Sequence, residues 1–267
     1  MTAKVMGVDH TVLDDCFTKE QNRPQKYRGL TGEEYAFVIF RRELEKHVDY
    51  FQKTGIFFSF STDPLCDESF GLTWRCVQLA VREYGIPVKM LTKNAAFSAS
   101  QMLMFDLIPV ERRSLIAFGF TLTGRDDWEP FASKNLDRIR LMKVLNEMRF
   151  HTFASIEPII DFENSLEMIK QTVRFCDQYL IGLMSFRQAN GLPPYQKDRC
   201  SEFIYYADQE MFSAYVNKKT HYLVRIYWKE SVRKFMANDA FAMQTINHSP
   251  VSVKSNWSLF TNKNIEI

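Results

Sequence analysis

The sequence predicts an α/β fold, a partial (βα)6-type TIM barrel of parallel strands with helices outside. Three observations predict it. β-rich runs alternate with amphipathic helical runs along most of the chain, and successive strands begin about 27 to 43 residues apart, which fits right-handed βαβ units. Several of the strands are apolar on both faces, as a parallel sheet requires. No GxGxxG or GxxxxGK(S/T) run follows any strand, so the nucleotide-binding open sheets lose support.

Residues 1–31 are polar and carry Gly, Pro and Asn, and read as an irregular N-terminal arm. Helical periodicity begins near Glu33: Phe37, Phe40, Leu44, Val48 and Phe51 share one face. Gly55 ends that helix, because glycine takes the left-handed cap at little cost. The run IFFSFS (56–61) is the next strand. A helix from Thr73 to Tyr84, closed by Gly85, leads to PVKMLT (87–92). SLIAFGFTL (114–122), FHTFASIEP (150–158), QYLIGLMS (178–185) and HYLVRIYW (221–228) read as further strands. Helices are expected between them at 134–148, 165–176 and 200–215. The barrel thus covers 32–228, and 229–267 forms a C-terminal appendage packed on it.

Composition narrows the class. Of 267 residues 46% are apolar and 25% charged, which excludes a disordered or collagen-like chain. The 34 basic and 32 acidic residues nearly cancel. That argues against an all-over grip on nucleic acid and leaves a local basic groove open. Five scattered cysteines, Cys16, Cys66, Cys76, Cys176 and Cys200, fit reduced thiols better than a disulfide framework. No apolar run is long enough to cross a bilayer and no signal-type core opens the chain, so a cytoplasmic location is expected.

In a βα barrel the functional groups lie at the C-terminal ends of strands. Those ends hold Ser59, Ser61, Thr62 and Asp63; Thr92, Lys93 and Asn94; Thr121 and Thr123; Ser155, Glu157 and Asp161; and Ser185 and Arg187. Hydroxyls, one lysine and carboxylates on one rim suit a polar, zwitterionic small molecule. Plainer readings stand beside this one. Asp63-Pro64 is equally a turn starter, and Glu157-Pro158 and Asp161 equally a helix cap. Glu129-Pro130 reads as turn chemistry. Solvated helix faces account for most of Arg75, Lys89, Lys134, Arg138, Arg140 and Lys143. Tyr205, Tyr206, Phe212 and Tyr215, at helical spacing, read as core packing. The five histidines show no metal spacing. An ordinary barrel hydrolase, with Asp63, Glu157 and Asp161 around a divalent metal, is a rival of a different class.

The stretch FSFSTDPLCDESFGLTWRCVQLAVREYGIPVKMLTKN (58–94) resembles βα units of spore-photoproduct-lyase-like radical SAM proteins. The marks are Thr62-Asp63-Pro64 at a strand end, Glu68, Thr73 with Arg75, and Thr92-Lys93 at the next strand end. WEPFASKNLDRIRLMKVLNEMRFHTFASIEPIID (128–161) is similar to that family's later helix and strand, and the likeness spans roughly 33–185. IEPIID and IGLMS also resemble the radical SAM proteins carried as pairs on mobile elements. The resemblance implies a six-stranded partial barrel that binds S-adenosylmethionine (SAM), with a [4Fe-4S] cluster that cleaves it to a 5′-deoxyadenosyl radical. It places Ser59 and Thr62 near the SAM amino group, with Asp63 beside them. It puts Lys93 near the carboxylate, and Thr121 and Glu157 near the ribose or methionine. By analogy the substrate is DNA or another macromolecule.

The family's cluster ligands, CxxxCxxC after the first strand, are missing. The strand at 56 matches the family's second, so the first strand and its cysteine loop are expected ahead of residue 33, and no such motif is there. Three explanations stay open: a truncated chain, a non-catalytic relative that keeps the SAM or nucleotide pocket, or a partner protein that supplies the cluster region.

Overall fold

The computed structural model describes residues 21, 23–58, 63–217 and 224–255. Six strands form one sheet in chain order: β1 (Ile56–Phe58), β2 (Val88–Thr92), β3 (Ile116–Thr121), β4 (His151–Ile159), β5 (Gln178–Leu183) and β6 (Arg225–Trp228). Every neighbouring pair is parallel. Among the described residues the expected architecture of parallel strands with outer helices is therefore observed, and the first strand and cysteine loop expected ahead of residue 33 fall mostly outside the described residues.

The helices are α1 (Gly32–Lys46), α2 (Val48–Thr54), α3 (Asp67–Gln78), α4 (Ala99–Asp106), α5 (Val110–Arg113), α6 (Asn135–Glu147), α7 (Phe162–Thr172), α8 (Lys197–Val216), α9 (Glu230–Met236) and α10 (Ala240–His248). The helix expected from Thr73 begins six residues earlier, at Asp67. Gly55 caps α2 at φ 70°. The sequence reading leaves out helices in two places, ahead of β3 and after β6. One is α4, which opens with a capping box of Ser98 and Gln101 and carries the fully buried Phe105. The other is the helical pair α9 and α10, whose Val232, Met236, Ala242 and Ile246 are buried.

Side chains alternate across each strand, so the sheet has two different faces. Val88, Met90, Ile116, Phe118, Phe120, Ala154, Ile156, Tyr179, Ile181, Ile226 and Trp228 join the helices in one large apolar core. Aromatic rings fill much of it: Trp74 lies 4.8 Å from Phe105, Phe105 4.9 Å from Phe118, and Phe118 5.2 Å from Phe150. Among the described residues the opposite, inner face holds a small cluster of Ala117, Phe153 and Leu180, bordered by Phe57, Leu91 and Tyr227. Gly119 makes room there, since a Cβ would stand 2.1 Å from Phe153 Cζ. Lys89 shares this face. It is fully buried, with Nζ 2.6 Å from Gln178 Oε1 and 4.7 Å from the centre of the Phe153 ring. The sequence reading of Lys89 as a solvated charge is thus corrected: β2 alternation turns it inward.

Tyr205, Tyr206 and Phe212 are likewise corrected. They are exposed on α8, where Tyr205 packs on Tyr206 and on Phe241 of α10.

Candidate ligand-binding rim

The chain leaves β1 into a turn that begins at Asp63. Its carboxylate faces the backbone: Oδ1 accepts from Leu65 N–H at 2.9 Å, and Oδ2 accepts from Lys93 N–H at 2.7 Å. The Thr92 hydroxyl donates to the same carboxylate at 2.7 Å. Asp63 therefore ties the loop after β1 to the end of β2. The two halves of the Asp63-Pro64 and Thr92-Lys93 pattern, far apart in sequence, meet here. Ser59 and Thr62 lie outside the described residues.

Lys93 is held on three sides. Its N–H reaches Asp63, its carbonyl accepts from Ser133 N–H at 3.2 Å, and its Nζ lies 2.5 Å from Glu129 Oε1. Glu129 lies in the loop between β3 and α6, and its side chain is only 6% exposed. Its other oxygen accepts from Arg138 Nη1 at 2.9 Å and from the Thr123 hydroxyl at 3.0 Å. Burial pushes the Glu129 carboxyl up, but Lys93 and Arg138 outweigh it and hold it below the ordinary glutamate value.

Arg138 sits on the first turn of α6 and is wholly buried. It also donates to Thr121 O, at the end of β3, at 2.6 Å. Its Nε and Nη2 have no partner among the described residues, so Glu129 is the charge that compensates it. Both Glu129 and Arg138 were misjudged from sequence as turn chemistry and a solvated face. The signal for Arg138 was its spacing with Ile139, Met142 and Leu145, which puts it on the buried side of α6.

Thr121 and Ser155 are register partners at the ends of β3 and β4, both buried. Glu157 follows two residues later on β4. Its carboxylate pairs with Lys229, the residue that follows β6. Gly182 of β5 lies beneath it, and a Cβ there would stand 2.8 Å from Glu157 Cδ. Lys229 was missed because the strand-end reading stopped at the fifth strand. Asp161 caps α7 by accepting from Asn164 N–H at 2.8 Å, and meets Arg125 at 3.3 Å. Asp63, Lys93, Thr121 and Glu157 all lie at the C-terminal ends of strands. The first three are linked through Glu129 and Arg138, and Glu157 stands apart with Lys229.

Among the described residues no three His, Cys, Asp or Glu side chains come together to hold a metal ion. Burial pushes the Cys76 and Cys200 thiols up to about 12 and raises Cys176 as well. Cys66 is half-buried beside Ser69 in the loop after β1. Among the described residues no helix is long and apolar enough to cross a membrane.

The class defined by strand order and pairing is a six-stranded partial βα barrel with a polar rim at its strand ends. No protein-family model matches the sequence, and no curated protein matches it. A solved structure similar to this chain is SuiB of Streptococcus suis bound to S-adenosylmethionine, at 10% identity and a TM-score of 0.49. The likeness covers 78% of this chain and 48% of that one, so this chain spans about half the length of SuiB.

Proposed function

We propose that the chain is a radical SAM-type half-barrel that binds S-adenosylmethionine across the C-terminal ends of its strands, and that it is a binding protein when it acts alone. The observation that carries this reading is the junction of Asp63 with Thr92 and Lys93. It brings together the two motif halves on which the family resemblance rests. The donor set fits the ligand: Lys93 suits a carboxylate, and Glu157 with Lys229 suits ribose hydroxyls, which both donate and accept. When bound, the sulfonium of SAM supplies an activated carbon for transfer or cleavage.

The cluster is another matter. The resemblance implies a [4Fe-4S] centre held by three thiolates of one CxxxCxxC loop. Three of the four described cysteines are buried on separate helices and loops with raised thiols, and Cys16 lies outside the described residues. The described residues do not fit the cluster, and no reaction step is assigned through it. Radical chemistry would then call for a cluster region supplied by a further segment of the chain or by a partner protein, with DNA or another macromolecule as the substrate by analogy.

Two measurements test this. Equilibrium dialysis should show one SAM per chain. After anaerobic treatment with iron and sulfide, EPR should show no [4Fe-4S] signal and chromatography no 5′-deoxyadenosine. Absence of SAM binding overturns the reading of the rim. A stoichiometric cluster overturns the assignment as a binding protein.

A further inference from the structure

We propose that Glu129, fixed by the buried Arg138, is the positioning residue that presents Lys93 to the carboxylate end of the ligand, so that the rim selects an amino-acid-bearing nucleoside over one without a carboxylate. This rests on the reading of the rim as a SAM site and names a residue that the reading does not use.

Lys93 is anchored before any ligand arrives. A lysine side chain of this length loses much of its rotamer freedom when it is held in one place. A free lysine at the mouth would lose it on each binding event. Here the loss is met within the folded chain. The Lys93 backbone is pinned by Asp63 and Ser133, and its ammonium by Glu129. The anchor itself is rigid, because Arg138 and Thr123 hold the second Glu129 oxygen. Arg138 is fixed in turn on Thr121 O.

The charges run in series. Arg138 and Lys93 carry two positive charges with one carboxylate between them, and the side chain that reaches solvent is Lys93, at 45% exposure. The surplus positive charge is therefore at the rim. An ammonium has three donors, and Glu129 engages one side of it. The other nearby carboxylate, Asp63, is taken up by two backbone N–H groups and a hydroxyl.

The test compares SAM with decarboxylated SAM by titration calorimetry. The wild type should prefer SAM by about tenfold, the scale of one charge-assisted contact at a half-exposed site. Lys93→Met should abolish that preference. Glu129→Gln should reduce it several-fold and leave the affinity for decarboxylated SAM nearly unchanged. Glu129→Asp keeps the charge that Arg138 needs but withdraws it by one methylene. It should also reduce the preference, and it serves if Glu129→Gln fails to fold. Full preference in Glu129→Asp, or equal losses for both ligands, overturns the positioning role. Equal affinity of the wild type for both ligands overturns it too and leaves the SAM site standing. No binding of either ligand removes both.

Discussion

Glu157 of β4 and Lys229 beyond β6 pair across the end of β5, directly over Gly182. The pair closes the far side of the rim, opposite Lys93. Its path exists because residue 182 has no side chain. Gly182→Ala should push the Glu157 carboxylate off Lys229. Overpacking of this kind costs about 1–3 kcal/mol. Urea denaturation should show that loss, and SAM affinity should fall in the same variant. An unchanged midpoint would mean that Glu157 has another place to go.

Asp63 does structural work at the other side. Its carboxylate satisfies Leu65 N–H, Lys93 N–H and the Thr92 hydroxyl at once. Asp63→Ala leaves these donors without a partner, and hydrogen bonds to a charged group contribute about 1.5–3 kcal/mol. Chemical denaturation should report a loss of that order. Asp63→Asn, which retains one acceptor oxygen, should lose less.

Lys89 makes stability depend on pH. Burial lowers its pKa to about 7 from an ordinary value of 10.5. Below pH 7 both folded and unfolded chains carry the proton, and the cost of the buried charge is fully present. Between about 7 and 10.5 the unfolded chain binds the extra proton, so stability rises with pH through that window. The difference in unfolding free energy between wild type and Lys89→Met isolates this effect from other titrating groups. It should shrink from pH 6 to pH 10, and a flat difference would assign Lys89 an ordinary pKa.

The thiols should differ in reactivity. In a Cys16→Ser background, a disulfide reagent at pH 8 should modify Cys66 in the native protein. Cys76, Cys176 and Cys200 should react only on unfolding, because burial disfavours their thiolates. Rapid native modification of a second cysteine would contradict the described packing.

Much of this fold was legible in the sequence, because parallel strands and their helices carry strong local patterns. Each expected strand overlaps a strand of the sheet, and Gly55 caps its helix as its backbone freedom implies. What escaped were short or tertiary features. Helix α4 spans two turns with little amphipathic contrast, though the capping box of Ser98 and Gln101 marked its start. The rim was legible in its strand-end residues, whose position follows from topology. Its buried charges were not. Glu129 gains its role from Lys93 and Arg138, which lie on either side of it in sequence and meet it only in the folded loop. Lys89 shows the same limit: strand alternation predicts which way it points but not that Phe153 and Gln178 cover it.

In the proposed function the strand ends from Lys93 to Glu157 form a single binding mouth for SAM. Hydrogen–deuterium exchange with and without saturating SAM tests it most directly. Slowed exchange is expected at the strand ends and loops 63–66, 92–95, 121–124 and 157–161, with α9 and α10 unchanged. No protection in those loops, or protection confined to the helices outside the sheet, would contradict it.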